Sequence, residues 1–317
     1  MSSSKRPVIK FFGLGGRGVS ALNLIRDRGL RDSAGPIFPL LITANSDLQD
    51  LSSSKAQIKI QVGAKSLKGV GAGGMFEEGK KGLLEVLPEI SSLLAISDLV
   101  ILISGIAGGT GSTLSLVAKS LNARPEKPVL FAVTFSPFSW EDYREPLAQK
   151  ALKDLRAQTP GVLDIPNAKV SEIYPELSTQ AIKKKIDEAF YRAMGAIASV
   201  CEKADFLKIL TKKGQTGLGY ADVSGPDRAL QALEAAIQHP LMGGFTLKEA
   251  KGAIICISCF PKVKESEQKA ITRRVQELIG SSGDFVVGSV QDERLLDQNA
   301  VKVTILATGL SEAKKKS

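Results

Sequence analysis

The chain carries a single histidine, three cysteines and one tryptophan among its 317 residues, and aromatic side chains make up only 5% of it. So little histidine argues against Ser-His-Asp catalysis and against a metal centre built on imidazoles. His239 precedes Pro240 at a helix end and reads as structural. An odd number of cysteines gives no framework of bridges and fits a reducing cytoplasm. Cys256 and Cys259 have the spacing of a metal pair, but strand alternation across residues 253–260 sends the two thiols to opposite faces. No second pair or nearby histidine completes a zinc site, so no protein-held metal is expected. With few aromatics, the basic stretches lack interleaved stacking rings, which disfavours a single-stranded nucleic-acid platform. No apolar run reaches the roughly 18 residues of a spanning helix, because residues 93–106 are broken by Ser97 and Asp98. Residues 1–7 have no adequate apolar stretch behind them, so they do not read as a secretory signal. The expectation is a cytoplasmic protein with no transmembrane segment.

What the chain does have is positive charge, 42 lysines and arginines against 33 acids for a formal net charge of +9, and 30 glycines. The charge points to an acidic protein or an anionic membrane surface as partner, or to no more than a solvated basic face. The glycines gather in turns. Gly13-Leu-Gly-Gly-Arg-Gly18 and Ala107-Gly-Gly-Thr-Gly-Ser-Thr113 each follow an apolar, strand-like run and each lead into a helical pattern. Glycine lets backbone N–H groups approach phosphate with no Cβ in the way, and a helix start adds unpaired donors and positive dipole. With Thr110 and Ser112 adding hydroxyl donors to the second turn, the pair forms a cradle for a di- or triphosphate.

Short apolar runs alternate with amphipathic stretches, as a parallel sheet covered by helices requires. Strands are expected at residues 8–12, 38–43, 99–104 and 128–134, with a helix over 20–28 and another after the glycine-rich residues 69–74. The turns singled out lie at the carboxyl ends of strands, where open α/β sheets bind ligands. Residues 178–201 hold one apolar stripe at helical period, long enough for a central connector. Beyond it, helices at 228–238 and 267–280 and strands at 252–258, 285–290 and 301–308 make a smaller α/β domain with a mixed sheet. The expected division is a nucleotide-binding domain over 1–177, a connecting helix over 178–201, a C-terminal domain over 202–310 and a short basic tail over 311–317.

In this order the residues resemble the FtsZ/tubulin family, its FtsZ branch more than tubulin, over nearly the whole chain. Gly13-Leu-Gly-Gly-Arg-Gly-Val-Ser-Ala-Leu-Asn23 looks like the family's first loop, and residues 107–113 look like its glycine signature with the first and last glycines replaced. Asn45-Ser-Asp-Leu-Gln49, residues 69–79, Phe135-Ser-Pro-Phe-Ser-Trp-Glu141, Ile165-Pro-Asn167 and Val301-Lys-Val-Thr-Ile-Leu-Ala-Thr-Gly309 follow in the family's order. The resemblance implies a parallel Rossmann-like sheet joined by a long helix to a smaller α/β domain with a mixed sheet. It also implies a cytoskeletal role related to cell division, here as a specialised paralogue rather than the main division protein: GTP or GDP with Mg2+, end-to-end self-association into filaments, and hydrolysis completed by the next subunit. On this pattern Gly15, Gly16, Gly18, Gly108, Gly109, Thr110 and Gly111 hold the phosphates, and Ala72 and Gly73 sense the γ-phosphate. Glu141 accepts from the ribose, Asn167 meets ribose or base, and Asp187 pairs with guanine N1 and N2. Arg17, Ser20, Asn45, Ser112 and Lys183 complete the expected contacts.

Several positions depart from the family. Arg17 and Val19 replace glycines of the first loop, and Arg17 either neutralises phosphate charge or points into solvent. Ser20 stands where the family has asparagine. Lys183 stands where the family stacks an aromatic on guanine, although a lysine stem covers a ring face too. The bland alternative for Asp187 is a solvated helix face shared with Lys183 and Lys184. Arg144 is one place off from the arginine expected after Glu141. The loop carrying the family's catalytic carboxylates is shortened; aligned without a gap from Gly214 it presents Glu202 and Asp205, whereas alignment through Asp205-Phe206 puts Lys208 on the second carboxylate. The first alignment keeps Phe206, Ile209 and Leu210 in register and is adopted, with slow or impaired hydrolysis expected from the shortened reach. The sequence closes at Ser317 without the family's linker and tail peptide, so membrane contact is expected only by charge or through a partner. The other readings are a non-hydrolysing nucleotide scaffold of the same fold and a nicotinamide or flavin oxidoreductase, since Gly13-x-Gly-x-x-Gly18 also fits the dinucleotide fingerprint. The oxidoreductase reading needs an acidic residue where Asn45 stands and leaves the second glycine turn unexplained.

Overall fold

The computed structural model describes residues 7–202, 205–280, 283–296 and 299–311. The basic tail read over 311–317 and the N-terminal residues 1–6 lie, apart from Ser311, outside the described residues. The chain divides into a larger unit, Pro7–Gly29 with Phe38–Phe190, and a smaller one formed by Leu30–Ile37 and the chain from Tyr191 onward. The division falls inside a single long helix, Thr179–Ala198.

The larger unit starts with β1 (Ile9–Leu14) and α1 (Gly15–Arg28). A hairpin, β2 (Leu30–Asp32) with β3 (Gly35–Ile37), counts with the smaller unit; the chain then returns as β4 (Leu40–Asn45), α2 (Leu48–Ser52) and β5 (Ile58–Gln61). Then come α3 (Phe76–Ala95), β6 (Leu99–Gly105), α4 (Leu114–Asn122), β7 (Val129–Ser136), α5 (Glu145–Arg156), β8 (Gly161–Pro166), α6 (Asn167–Ile173) and the long helix α7 (Thr179–Ala198). The six strands of this unit are parallel in the order β8-β7-β6-β1-β4-β5. A parallel sheet is covered on both faces, and the sequence of β6, Leu-Val-Ile-Leu-Ile-Ser-Gly, is accordingly buried along nearly all its length. Leu102, Ile42 and Phe12 pack with Ile90 of α3, Val117 of α4 and Leu155 of α5 in one core.

The smaller unit continues through α8 (Phe206–Leu210), β9 (Gly214–Ser224), α9 (Arg228–Ile237), β10 (Gly252–Cys259), α10 (Glu265–Ile279), β11 (Asp284–Gln291) and β12 (Ala300–Leu310). Its strands run β11-β10-β12-β9. β10 and β11 are parallel while β12 is antiparallel to both its neighbours, which makes the sheet mixed. Leu233 and Ala236 of α9, Ile271 of α10 and Ile255, Val303 and Ile305 of the sheet form its core. The α/β class, the parallel sheet and the second, mixed-sheet domain therefore stand as the sequence implied.

Two local differences have physical causes. The first helix starts at Gly15, not Ser20, because residues with poor helix propensity occupy a first turn that tertiary packing holds. A Cβ on Gly18 would stand 2.6 Å from the Gly13 carbonyl carbon, so only glycine lets this turn lie against β1. Strand β9 was not anticipated because Gly214, Gly217 and Gly219 depress strand propensity. Gly219 is nonetheless required, since a Cβ there would meet the Ala236 carbonyl oxygen of α9 at 2.0 Å.

Among the described residues no helix is long and apolar enough to cross a membrane. Cys201, Cys256 and Cys259 are buried and outside any disulfide, and burial pushes Cys259 up to about 11, far from a reactive thiolate. His239 sits where a short turn, Pro240–Met242, begins: its Nδ1 accepts from the Leu241 amide at 3.2 Å and its ring lies 4.0 Å from that of Tyr220. Burial, helped by the Arg192 charge, lowers its pKa to about 4 from 6.5. The folded protein thus holds this imidazole neutral while the unfolded chain takes up a proton below pH 6.5, so its contribution to stability is lost as pH falls from 6.5 to about 4. His239→Asn keeps a capping acceptor but no titration. Its melting temperature should fall less steeply than the wild type's across that interval in a calorimetric pH series, and parallel slopes would contradict the assignment.

Candidate functional site

In the parallel sheet β1 lies between β6 and β4, and the chain fills one side with β4 and β5 before crossing to β6, β7 and β8. The connections leaving β1 and β6 therefore diverge, opening a crevice at the carboxyl ends of these strands, the usual ligand position in such a sheet. Two helix starts border it. α1 begins directly after β1, with no side-chain cap and no acidic residue in its first turn. Its first amides have no intrahelical acceptor, and nothing on that turn offsets the positive end. Gly15 takes φ +73, a conformation glycine reaches without strain. From β6 the chain passes Gly108 to Thr110 and enters the tight turn Gly111–Thr113 that leads into α4, again with no acid in the first turn. The third glycine stretch differs. Gly69, Gly71, Gly73 and Gly74 all have positive φ, but α3 behind them carries Glu77 and Glu78 in its first turn, which offset its own dipole. Two of the three glycine turns thus present anion-ready helix ends.

Between these turns lies a cleft of about 480 Å³, within the range of small-molecule sites. Gly15 and Gly16, Gly108 to Gly111, and Ala72 with Gly73 line it, as do Asn45, Glu141 and Asn167. These are sequence-selected residues from six separate segments, brought to one wall. The glycines have distinct jobs. A Cβ on Gly108 would meet no atom within 4 Å, so this position faces open space. A Cβ on Gly109 would instead strike the Met75 carbonyl oxygen at 2.6 Å, so that glycine is needed for the loop before α3 to close against the second turn. Of the two, Gly108 is therefore the position at which a side chain would extend into open space without disturbing the turn.

Hydroxyls expected to reach into the cleft are committed to the protein. Ser112 Oγ donates to the Ile106 carbonyl at 2.7 Å and the side chain is buried away from the cleft wall. Thr110 lines the cleft, but its hydroxyl is paired with Ser46 Oγ at 2.6 Å. Ser20 Oγ donates to the Gly16 carbonyl from an exposed position outside the cleft. Asn45, at the end of β4, is buried, with Oδ1 accepting from the Asp47 amide. These residues shape the turns; the Thr110–Ser46 pair uses one of its two hydroxyl protons internally, and backbone amides are the main donors left at this end of the cleft.

The other end of the cleft is set by charged and aromatic groups. Arg17 neither points freely into solvent nor turns toward the glycine turns. Its Nη1 donates to Asp187 Oδ1 at 2.7 Å and its guanidinium lies 3.9 Å over the Phe135 ring. Asp187 is therefore engaged by Arg17 rather than by Lys183 or Lys184; its side chain is about a third exposed and is not among those lining the cleft. Lys183 is exposed and does not line the cleft. Glu141 accepts from Arg144 Nη1 at 2.8 Å and from the Phe138 amide at 3.1 Å, so Arg144 reaches the cleft from its shifted position. Two buried polar atoms here have no hydrogen-bond partner, Arg17 Nη2 and Asn167 Oδ1. Each would cost about 1–3 kcal/mol if left unpaired, which suits a cleft built for a polar guest.

Sequence reasoning missed three contributors. Phe135 serves as a platform under Arg17. Asp47 lies in the cleft wall and caps α2, accepting from the Gln49 and Asp50 amides at 2.9 and 3.0 Å. Asp164 of β8 accepts from Thr134 and from Ser136, a cleft residue, at 2.7 Å each; burial pushes its pKa up and the two hydroxyls oppose the shift. Its signal was a lone carboxylate inside an apolar strand. Glu202 and Asp205 belong to the smaller unit. Glu202 accepts a hydrogen bond from Ser33, and Asp205 immediately precedes α8; Lys203 and Ala204 between them lie outside the described residues. Among the described residues no group of His, Cys, Asp or Glu could hold a metal ion by itself.

The profile of the Tubulin/FtsZ family GTPase domain matches residues 8–175, and that of the FtsZ family C-terminal domain matches residues 214–311. Cell division protein FtsZ 2 of Rhizobium meliloti (strain 1021) is 31% identical over 96% of this chain and 88% of its own length. Cell division protein FtsZ of Bartonella bacilliformis is also 31% identical over 96% of the chain, which spans only 52% of that longer protein. An empty FtsZ dimer from M. jannaschii, a solved structure 26% identical in sequence, superposes with a TM-score of 0.87 over 97% of this chain and 89% of that one.

The glycine geometry yields a paired prediction. Gly108→Val should melt within a few degrees of wild type yet lose binding of a fluorescent guanine nucleotide. Gly109→Val should lower the melting temperature by more than about 5 °C through its collision with the Met75 backbone. A Gly108→Val protein that binds as wild type does would remove the second turn from the site.

Proposed function

The chain belongs to the tubulin/FtsZ family, and from that premise we propose that it binds GTP and GDP in the cleft of the larger unit and assembles end to end into cytoskeletal filaments. The observation that carries the reading is the pair of uncapped, acid-free helix starts facing one cleft that also holds two unpaired buried polar atoms. Backbone amides around Gly15 and Gly16 and around Gly108 to Gly111 hold the phosphates. The loop at Ala72 and Gly73 meets the γ-phosphate. Glu141, aligned by Arg144, accepts from the ribose, and Asn167 Oδ1 accepts from ribose or base. Asp187 reads the N1 and N2 edge of guanine, which adenine does not reproduce. Mg2+ would be carried mainly by phosphate oxygens and water, as suits a cleft without a carboxylate cage; bound there it offsets phosphate charge. Conditions in the cytoplasm suit buried thiols outside any disulfide.

Hydrolysis is assigned to Glu202 and Asp205 acting on the nucleotide of the next subunit. Phosphoryl transfer depends on positioning and charge, so a short loop slows turnover more than it weakens binding. Filaments should therefore form with GTP, seen by electron microscopy, and persist. Phosphate release per molecule should rise with protein concentration, because the site is shared, and Asp205→Ala should cut the rate by about a hundredfold without preventing assembly. A per-molecule rate that is flat across the assembly range and unaffected by Asp205→Ala would contradict the shared site.

A further inference from the structure

Arg17 has an unusual set of surroundings for a residue in the first turn of a helix. Its stem packs where a side chain at residue 105 would go, since a Cβ on Gly105 would stand 3.0 Å from Arg17 Cβ and 3.4 Å from Cγ. Its guanidinium is held between the Phe135 face and the Asp187 carboxylate, and one nitrogen, Nη2, is buried with no partner. Arg17 forms part of the cleft wall and Asp187 does not. A base bound at this end of the cleft lies beside the clamped guanidinium of the wall.

We propose that Arg17 is a specificity-determining residue, donating from Nη2 to the 6-keto oxygen of guanine while Nη1 stays on Asp187 Oδ1. The proposal rests on the guanine-nucleotide reading above and adds a second reader to it. Arginine has only donors, so it accepts no hydrogen bond from the 6-amino group of adenine and favours the keto oxygen of guanine. With Oδ1 engaged by Arg17, Oδ2 of Asp187 is left for the N1 and N2 edge. The pair then presents a donor and an acceptor side by side, matching the order of groups on guanine. Phe135 beneath the guanidinium fixes its plane at little cost in side-chain entropy. The clamp also supplies rigidity at this end of the cleft, where exposed Lys183 contributes no wall.

The test is nucleotide affinity for wild type, Arg17→Met, which keeps the stem, and Arg17→Gln, each checked for an unchanged melting profile. The probes are GTP, 6-thio-GTP, whose sulfur is a weak acceptor, and ITP, which lacks the N2 amine. Wild type should favour GTP over 6-thio-GTP by about tenfold. Arg17→Met should abolish that preference while keeping the preference for GTP over ITP, which Asp187 reads. If wild type binds GTP and 6-thio-GTP equally, the proposal is overturned without recourse to any variant. Equal weakening of all three nucleotides in the variants would assign Arg17 to phosphate charge and overturn it as well. A wild-type protein that binds none of them would instead remove the guanine-nucleotide reading itself.

Discussion

Everything at the cleft depends on unpaired backbone amides at the start of α1 being held beside those of Gly108 to Gly111, in the turn ahead of α4; the amides of Ser112, Thr113 and Leu114 are already paired within that turn. A helix start is an inexpensive source of directed donors because its first N–H groups have no acceptor in the helix. Bringing two such starts together requires that the backbone pass close to other backbone, and the chain manages this with glycine. Gly18 lets α1 lie on β1, Gly109 lets the loop before α3 close on the second turn, and Gly108 leaves open space in front. The order of the parallel strands does the rest, since α1 and α4 follow β1 and β6, the neighbouring strands between which the chain reverses the side of the sheet it fills.

Charge placement sharpens the same design. Glu77 and Glu78 offset the dipole of α3, while α1 and α4 have no acid in their own first turns; the carboxylates at the glycine turns come from α2 and the loop before it, with Asp50 Oδ2 2.5 Å from where a Gly16 Cβ would stand and Asp47 in the cleft wall. At the far end, Arg17, Asp187 and Phe135 form a compact unit in which one ion pair, on side chains about a quarter to a third exposed, is worth modest stability in itself. Its value lies in geometry. A guanidinium fixed in plane and in direction presents its remaining donor in one place, and the carboxylate it holds is kept from swinging away.

Much of this was legible in the sequence. The two glycine turns, the alternation of apolar runs with amphipathic ones and the long apolar stripe through Ile186 and Phe190 gave the parallel sheet, the long helix and the location of the cleft. Less visible was anything that depends on packing rather than pattern. Gly214, Gly217 and Gly219 hid strand β9, because a strand that must admit a helix against its backbone is poor in the residues that signal a strand. Ser112 looked like a ligand donor and is a backbone anchor, since a hydroxyl in a tight turn finds a nearby carbonyl first. Arg17 could not be oriented from spacing, as its partners Phe135 and Asp187 are remote in sequence. Asp164 was passed over because a carboxylate inside a buried strand is ruled by hydroxyl partners that only the sheet register brings opposite it.

A crystal structure of the protein with GDP tests the two-turn cradle most directly. Phosphate oxygens should lie within hydrogen-bond distance of the amides at Gly15 and Gly16 and at Gly108 to Gly111, with the base beside Arg17 and Asp187. Phosphates bound elsewhere, with both helix starts left to solvent, would contradict it.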